Sequence, residues 1–320
     1  MSWSFNLFRV RGIQIRVHAT FALILIWAAY FWGNGADDRL RGAVFGIVAT
    51  LILFACVTLH ELGHSFQAMA FGIPVKDVTL YPIGGVARIE GIPDDPKKEF
   101  RIAIAGPAVN LAIAAALIAV AAVLGRTSVL SPGNLSDSMR GATWQGLLPY
   151  VTVANIWLAL FNLLPAFPMD GGRILRAVLA MRMGRVRATT IAMAIGQGMA
   201  LLFGLYGFTS GNFFLVVIAV FGWMGAGQEG QAVVVQDALA GVVVGDVMSR
   251  APQTLTPFDP LRRAVELTLS TSQSDFPVVD GRGLVVGMLS IAELVHGLHD
   301  RPQSAVGEVM RGDLPIIRPD

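Results

Sequence analysis

The chain has 320 residues, of which 54% are hydrophobic and 14% are charged, and its net charge at neutral pH is +2. Because an average soluble domain carries roughly 25% charged residues, the composition excludes a wholly soluble protein and a disordered chain. A single cysteine excludes a disulfide framework, and the small net charge gives no support to nucleic-acid binding. Charged residues form about 12% of residues 1–235 but about 21% of residues 236–320. We therefore expect a membrane domain followed by a soluble domain.

Six apolar stretches of the first domain approach or exceed the roughly 20 residues that a helix needs to cross a bilayer. Glu61, in the second stretch, is the only charged residue among them. Six crossings place both termini on one side, which collects thirteen Lys and Arg residues against four on the other side. The positive-inside rule then predicts cytoplasmic termini. The stretches are Val17–Trp32, Gly42–Phe71, Ile102–Leu124, Gly146–Leu164, Ala188–Tyr206 and Asn212–Gly225.

Two segments outside these stretches also carry a structural pattern. Lys76–Glu90 alternates polar and apolar residues on both sides of Gly84-Gly85, which predicts a β-hairpin. Gly171–Arg187 mixes apolar residues with five arginines. That mixture fits either a short helix at the membrane interface or a solvated cytoplasmic loop.

Two of the five histidines lie in His60-Glu61-Leu62-Gly63-His64, near the cytoplasmic end of the second stretch. At positions i and i+4 of a helix, two imidazoles share a face and can bind one Zn²⁺, and the glutamate beside them can act as a general base. Ionisable residues inside a membrane helix are costly unless they are paired, so they mark functional sites by default. The alternative is a pair of histidines that are hydrogen-bonded within a helix bundle.

A catalytic zinc needs a third protein ligand and an open position. Asp170 is the candidate, because Pro165 and Pro168 break the helix before it and two glycines follow it. Irregular backbone at membrane depth is tolerated where protein or a cavity surrounds it, and glycines allow close backbone approach. The alternative is a plain loop that ends the helix.

Together these motifs resemble the site-2 protease family of intramembrane zinc metalloproteases. The resemblance rests on His60-Glu-Leu-Gly-His64, Gly106-Pro-Ala-Val-Asn110 and the segment from Asn162 to Asp170-Gly, in this order on the second, third and fourth stretches. Pro82-Ile-Gly84-Gly85 is similar to the membrane-associated hairpin of that family. The resemblance covers about residues 10–230.

The resemblance implies a metallopeptidase and assigns a role to each ionisable residue of the motifs. One zinc ion per chain would be held by His60, His64 and Asp170, with Glu61 as the general base that takes a proton from water and passes it to the leaving amine. The substrate would be a transmembrane or membrane-tethered protein, such as an anti-sigma factor or a sigma-factor precursor, cleaved in regulated intramembrane proteolysis. The location would be the membrane of a prokaryotic cell.

Substrate contacts are also implied by the resemblance. The hairpin at Gly84 and Gly85 would hold the substrate as an added strand, because a helical substrate must be extended before its peptide bonds can be reached. Asn110 and Asn162 would bind the substrate backbone or the developing oxyanion. For both asparagines, hydrogen bonding between helices is the equally weighted alternative.

The C-terminal region contains the beginning of a repeat. Val244-Gly-Asp-Val-Met248 recurs as Val306-Gly-Glu-Val-Met310. With Asp275–Asp280 and Gly287–Glu293, the region resembles a cystathionine-β-synthase (CBS) domain. Such repeats work in pairs, and only about 15 residues of the second repeat precede Asp320. We therefore expect the natural C-terminus to lie beyond Asp320.

Two roles stay open for the CBS region. Members of this family often bind adenine nucleotides through an aspartate that follows a serine, and Glu293 stands at that place here. The alternative to nucleotide binding is a module for dimerisation or docking, and dimerisation through this region would make the protein a homodimer.

Two other classes of function compete with an active protease: a membrane transporter regulated by a CBS domain, and a catalytically inactive membrane scaffold. A transporter would spread polar residues through several spans, whereas here they concentrate at the predicted zinc site. An inactive scaffold usually lacks a metal ligand or the general base, whereas the three predicted ligands and the base are all present here. We therefore expect an intramembrane metalloprotease domain in residues 1–235 and a CBS region in residues 242–320. The expected fold is an α-helical polytopic membrane protein with about six transmembrane helices, a small membrane-associated β-hairpin and an α/β CBS domain.

Overall fold

The computed structural model describes residues 3–91, 93, 95–125, 144–238, 242–249 and 251–313. The chain divides into two units, Met1–Ala238 and Leu239–Asp320. The functional assignment of residues 1–235 and 242–320 stays a prediction.

The first unit is mainly helical, as predicted. Its helices are α1 (Phe21–Gly35), α2 (Arg39–Ala70), α3 (Pro96–Val123), α4 (Leu147–Asn162), α5 (Asp170–Met183), α6 (Arg185–Thr209) and α7 (Phe213–Ala238). Among the described residues, five helices are long and apolar enough to cross a bilayer, namely α2, α3, α4 with the turn before it, α6 and α7. The segment after the fourth predicted span is helical too, since it forms α5. The chain is therefore a multi-pass membrane protein.

The first predicted span begins and ends later than expected. Val17 and His18 belong to a β-strand, and α1 runs from Phe21 to Gly35, so its 15 residues are one fewer than in the predicted stretch Val17–Trp32. A helix of that length rises about 22 Å, less than the roughly 30 Å of a bilayer core. The six predicted crossings thus correspond to five long helices and one short apolar helix.

The predicted hairpin is part of a larger sheet. Its strands are β3 (Val75–Tyr81) and β4 (Gly84–Ile89), which pair antiparallel. Two further strands near the N-terminus, β1 (Ser4–Val10) and β2 (Ile13–His18), extend the sheet in the order β1-β2-β3-β4. Strands β2 and β3 are parallel, and β4 lies at the sheet edge.

One face of this sheet packs on α2. Ile13, Ile15 and Val78 from the strands form a buried apolar cluster with Leu62 of α2. Leu62 lies between the two histidines of the predicted zinc motif, so burial of this cluster fixes the helix turn that carries them. The sheet therefore positions the candidate site as well as the β4 edge.

Helices α2 and α3 approach each other closely at a glycine. A Cβ atom at Gly63 would lie 2.8 Å from Cγ2 of Val109 and 3.0 Å from the carbonyl oxygen of Ala105 on α3. Small residues at helix crossings are typical of membrane proteins, where close backbone contact replaces the hydrophobic driving force. Gly63 thus lets α3 reach the histidine-bearing turn of α2.

The second unit is an α/β fold, as predicted. Its elements are α8 (Val244–Val247), α9 (Leu261–Ser270), β5 (Asp275–Val279), β6 (Val285–Ser290) and α10 (Ile291–Asp300). Strands β5 and β6 form an antiparallel hairpin. Both copies of the sequence repeat form short helical turns, the second at Val306–Glu308. The buried core includes Leu261, Phe276, Leu289 and Val306.

The four-stranded sheet contains a buried aspartate that joins three of its strands. Asp77 of β3 accepts hydrogen bonds from Arg16 of β2 at 3.3 Å and from Nε of Arg88 of β4 at 2.9 Å, and only 6% of it is exposed. We predict that Asp77→Ala lowers the stability of the purified protein in detergent by about 1–3 kcal/mol, because two guanidinium groups lose their charged acceptor. Thermal unfolding measures this change.

The exposed pair Lys76–Glu90 provides the control for this prediction. Its atoms lie 2.6 Å apart, but the two side chains are 65% and 43% exposed. Glu90→Gln should therefore change stability by less than about 1 kcal/mol. Equal shifts for the two variants would contradict the role assigned to Asp77.

Candidate metal centre

Three side chains from two helices meet at one point. His60 and His64 lie one turn apart on α2, and Asp170 is the first residue of α5. Nε2 of His60 and Nε2 of His64 are 3.1 Å apart, and Oδ2 of Asp170 lies 3.2 Å from the first and 3.1 Å from the second. All three residues are buried. The structure thus brings together the three residues predicted to bind zinc.

Hydrogen bonds on the far side of each ring fix the imidazoles. Nδ1 of His60 lies 2.5 Å from Oδ1 of Asn110, and Nδ1 of His64 lies 2.7 Å from the carbonyl oxygen of Ile102. Both partners are acceptors, so each Nδ1 carries the proton and each Nε2 carries a lone pair. The two lone pairs therefore face each other and the carboxylate.

This arrangement fits a metal ion. Two nitrogen lone pairs and a carboxylate oxygen about 3 Å apart repel one another unless a cation lies between them. Ligands of a tetrahedral Zn²⁺ at about 2.0–2.1 Å are themselves about 3.3 Å apart, close to the 3.1–3.2 Å edges of this triangle. Two imidazoles and one carboxylate also form a ligand set that is typical of catalytic zinc sites.

Asn110 belongs to a chain of buried amides. Its Oδ1 contacts His60, and its Nδ2 donates to Oδ1 of Asn155 on α4 at 2.8 Å. Nδ2 of Asn155 donates in turn to the carbonyl oxygen of Val151 at 2.8 Å. Both asparagines are completely buried. The sequence pointed to Asn110 but not to Asn155, whose only sequence signal is an amide within an apolar span.

Asn162 has a different environment. It is the last residue of α4 and is half-buried, and its Nδ2 donates to the carbonyl oxygen of Leu158 one turn earlier at 2.9 Å. The two asparagines that the sequence treated alike therefore differ. Asn110 contacts a residue of the triad, whereas the hydrogen bond that Asn162 donates stays within its own helix.

Glu61 lies next to the edge of the four-stranded sheet. A Cβ atom at Gly85 of β4 would approach Cγ of Glu61 to 2.7 Å, so the strand can lie this close only because residue 85 is a glycine. Gly84 has a φ of +142°, a backbone conformation that favours glycine. Both glycines of the hairpin thus allow β4 to begin beside Glu61.

Two further glycines, one on α3 and one on α5, allow close contacts around the triad. A Cβ at Gly106 of α3 would overlap Nε2 of His64 and lie 2.7 Å from Cε1 of His60. A Cβ at Gly171 would overlap the carbonyl oxygens of Leu163 and Leu164 at the end of α4. Close approach at these two positions lets the imidazoles and Asp170 meet.

In the second unit, Glu293 caps the helix in which it lies. Its Oε2 accepts a hydrogen bond from the backbone N–H of Ser290 at 3.1 Å, and the Ser290 hydroxyl accepts one from the N–H of Glu293. Its Oε1 also lies 3.1 Å from Nη2 of Arg311. The carboxylate thus has protein partners, and nucleotide binding at this position stays a prediction.

Comparison with known families gives two matches. Residues 48–205 match the family model of peptidase family M50, and residues 244–300 match that of the CBS domain. The first match contains every residue of the triad, and the second begins at the first copy of the sequence repeat.

Individual proteins are similar over longer segments. The chain is 35% identical to a zinc metalloprotease of Methanocaldococcus jannaschii over 294 residues, which are 92% of this chain and 80% of the relative. It is 28% identical over 178 residues to stage IV sporulation protein FB of Bacillus subtilis, with 55% of each chain covered. The solved structure of a site-2 protease from Methanocaldococcus jannaschii matches with a TM-score of 0.51 and 36% identity, covering 71% of this chain and 95% of that one.

The closeness of Gly106 to both imidazoles leads to a prediction. Gly106→Ala should lower zinc affinity by about tenfold or more, because the added methyl group must displace both rings from their present positions. Zinc bound per chain, measured against a competing chelator, tests this. Gly198→Ala on α6 is the matched control, since a Cβ there meets nothing within 4 Å. Wild-type zinc affinity in the Gly106 variant would contradict the geometry described.

Proposed function

The chain belongs to the site-2 protease family of zinc metalloproteases, peptidase family M50, and on that premise we propose that it hydrolyses peptide bonds of membrane-embedded proteins at the His60–His64–Asp170 triangle. The observation that carries the proposal is the triangle itself, with ligand atoms 3.1–3.2 Å apart. The protein is an enzyme of the intramembrane endopeptidase type.

Zinc is the metal implied by the family, and we propose His60, His64 and Asp170 as its protein ligands. When bound, zinc supplies a Lewis acid that polarises the scissile carbonyl and lowers the pKa of a coordinated water to about 7. The residues of the chain hold the three ligand atoms at fixed separation and direct both Nε2 lone pairs to the same point. Asn110 and the Ile102 carbonyl supply the hydrogen bonds that keep these lone pairs free of protons.

Glu61 is the proposed general base. It follows His60 directly, so its carboxylate extends from the same turn of α2 and lies against the start of β4. A carboxylate oxygen of Glu61 takes a proton from the attacking water and then donates it to the nitrogen of the leaving amine. No other group is needed to balance this proton transfer.

Strand β4 is the proposed docking edge for the substrate. It is the last strand of the sheet, so its outer backbone groups are available to pair with an extended peptide. Because β4 begins at Gly84 and Gly85 beside Glu61, a peptide paired with it would run past the general base. This pairing would also supply hydrogen bonds to a substrate whose helix has unwound.

The two asparagines receive different roles in the proposal. Asn110 has its oxygen committed to His60 and its amide nitrogen to Asn155, so we assign it to orienting His60 rather than to binding substrate. Asn162 ends α4 eight residues before Asp170 and is half-buried. We assign Asn162 to the substrate backbone or to the oxyanion.

We further propose the cellular setting. The substrate would be a transmembrane or membrane-tethered regulator of the anti-sigma factor or sigma-factor precursor type, cleaved in regulated intramembrane proteolysis in a prokaryotic cell membrane. With α1 counted as a crossing, both termini are cytoplasmic, in accord with the thirteen Lys and Arg residues on that side. The CBS domain at residues 244–300 would regulate the protease, through an adenine nucleotide or through homodimerisation.

Replacing the proposed base separates metal binding from chemistry. Glu61→Gln keeps the shape of the side chain but removes its ability to accept a proton. We expect unchanged zinc content and a loss of cleavage of at least about 10²-fold, measured with purified protein and a single-span substrate. His60→Ala should lose both zinc and cleavage. If Glu61→Gln cleaves as well as wild type, the mechanism is wrong.

The two asparagines give a paired prediction. Asn110→Leu should lower zinc affinity by about 10–100-fold, because Nδ1 of His60 loses its acceptor. Asn162→Leu should leave zinc affinity unchanged and reduce cleavage by about tenfold, the value of one hydrogen bond of about 1.4 kcal/mol. Chelator competition and cleavage of the single-span substrate measure the two effects. The assigned roles would be contradicted if Asn162→Leu lowered zinc affinity and Asn110→Leu did not, or if the two variants behaved alike.

A further inference from the structure

Two arginines and two glutamates form an ionic network beside the metal centre, in which Arg176 and Glu99 are buried whereas the side chains of Arg173 and Glu229 are 43% and 20% exposed. Arg176 of α5 donates from Nε to Oε1 of Glu99 on α3 at 2.7 Å, and its Nη1 lies 3.4 Å from Oε2 of Glu229 on α7. Arg173 of α5 donates from Nη2 to Oε1 of Glu229 at 2.6 Å. Only 1% of Arg176 and 5% of Glu99 are exposed. The network therefore joins three helices at α5.

The network contacts the chain on both sides of Asp170. Arg173 and Arg176 lie three and six residues after Asp170, in the first two turns of α5. Cζ of Arg176 also lies 5.1 Å from the centre of the Phe167 ring, three residues before Asp170. Both the loop that leads to Asp170 and the helix that follows it are thus in contact with this network.

Stability alone does not explain such a cluster. Desolvation of buried charges costs about as much as their attraction returns, and apolar residues of similar volume are often equally stabilising. Charge-assisted hydrogen bonds restrict the distance and the angle between their partners. The metal centre needs such restriction, since its three ligand atoms lie only 3.1–3.2 Å apart.

We propose that Glu229 is a positioning residue for Asp170. It is the carboxylate that contacts both arginines, so it fixes the first two turns of α5 against α7 and thereby sets the position of the Asp170 oxygen relative to His60 and His64. Arg176 keeps a second carboxylate in Glu99, whereas Nε of Arg173 has no hydrogen-bond partner within the described residues. Loss of Glu229 therefore acts mainly on Arg173, the arginine nearer to Asp170.

This inference rests on the proposed function, because it treats Asp170 as a zinc ligand. Under this inference, the position of Asp170 also depends on α7, a helix that carries none of the three ligand residues. Glu229 lies in α7, which ends at Ala238, the last residue of the first unit. A displacement of α7 would therefore reach the metal centre through Glu229.

The test compares zinc affinity, unfolding temperature and cleavage kinetics in the full chain. The variants are Glu229→Gln, the conservative Glu229→Asp, and the double variant Arg173→Gln/Glu229→Gln. Glu266→Gln is the matched control, because Glu266 pairs with Arg262 on the surface of the second unit at 3.5 Å. Zinc affinity is measured on purified protein by competition with a chelator. A single-span substrate gives kcat and KM.

We expect Glu229→Gln to lower zinc affinity by about tenfold and to reduce kcat of the zinc-loaded enzyme more than it raises KM. Glu229→Asp should recover part of the affinity, and Glu266→Gln should match wild type. The double variant distinguishes positioning from simple stabilisation, because it removes the unpaired arginine. Its unfolding temperature should return toward wild type while its zinc affinity stays low.

Three results would overturn the inference. They are wild-type zinc affinity in Glu229→Gln, recovery of both affinity and stability in the double variant, and an equal loss of affinity in Glu266→Gln. If Glu229→Gln does not fold, the zinc affinity of the double variant is the test. Low affinity supports the inference, and wild-type affinity contradicts it. Failure of the proposed function looks different, since the His60→Ala variant would then bind as much zinc as wild type.

Discussion

An ionisable side chain that is buried in an apolar helix bundle needs a partner, and this need organises the protein. His60, His64 and Asp170 form a triangle that a cation would complete. In the four-stranded sheet, Asp77 accepts hydrogen bonds from two arginines. Beside the metal centre, Arg176 is held between carboxylates from two helices. In each case one buried charge joins segments that are far apart in sequence, so charge pairing provides both cohesion and the geometry of the site.

The parts of this site that depend on local spacing could be predicted from the sequence. His60 and His64 are one helical turn apart, so any helix over this segment brings their rings to one face. The hairpin around Gly84 follows from alternation and from a glycine pair. Asp170 lies 106 residues from His64, and its role came from prolines, glycines and a family motif rather than from spacing. Its contact with both imidazoles therefore needed the structure.

Other features depend on registers between distant segments, which spacing does not reveal. The pairing of β2 with β1 and β3 takes Val17 and His18 into a strand and moves the start of the first helix to Phe21. An amide in a membrane helix can face substrate or a neighbouring helix, and only the packing of α2 on α3 turns Asn110 toward His60. The Arg176–Glu229 contact joins residues 53 positions apart that showed no shared pattern.

The central claim is that two imidazoles and one carboxylate hold a zinc ion, and X-ray absorption at the zinc edge of the purified full chain tests it most directly. We expect four nitrogen or oxygen neighbours at about 2.0–2.1 Å, with the outer-shell signal of two imidazole rings. A sulfur neighbour at about 2.3 Å would contradict the claim, because it would bring in Cys56, the one cysteine of the sequence. A signal with fewer than two imidazoles would contradict it equally.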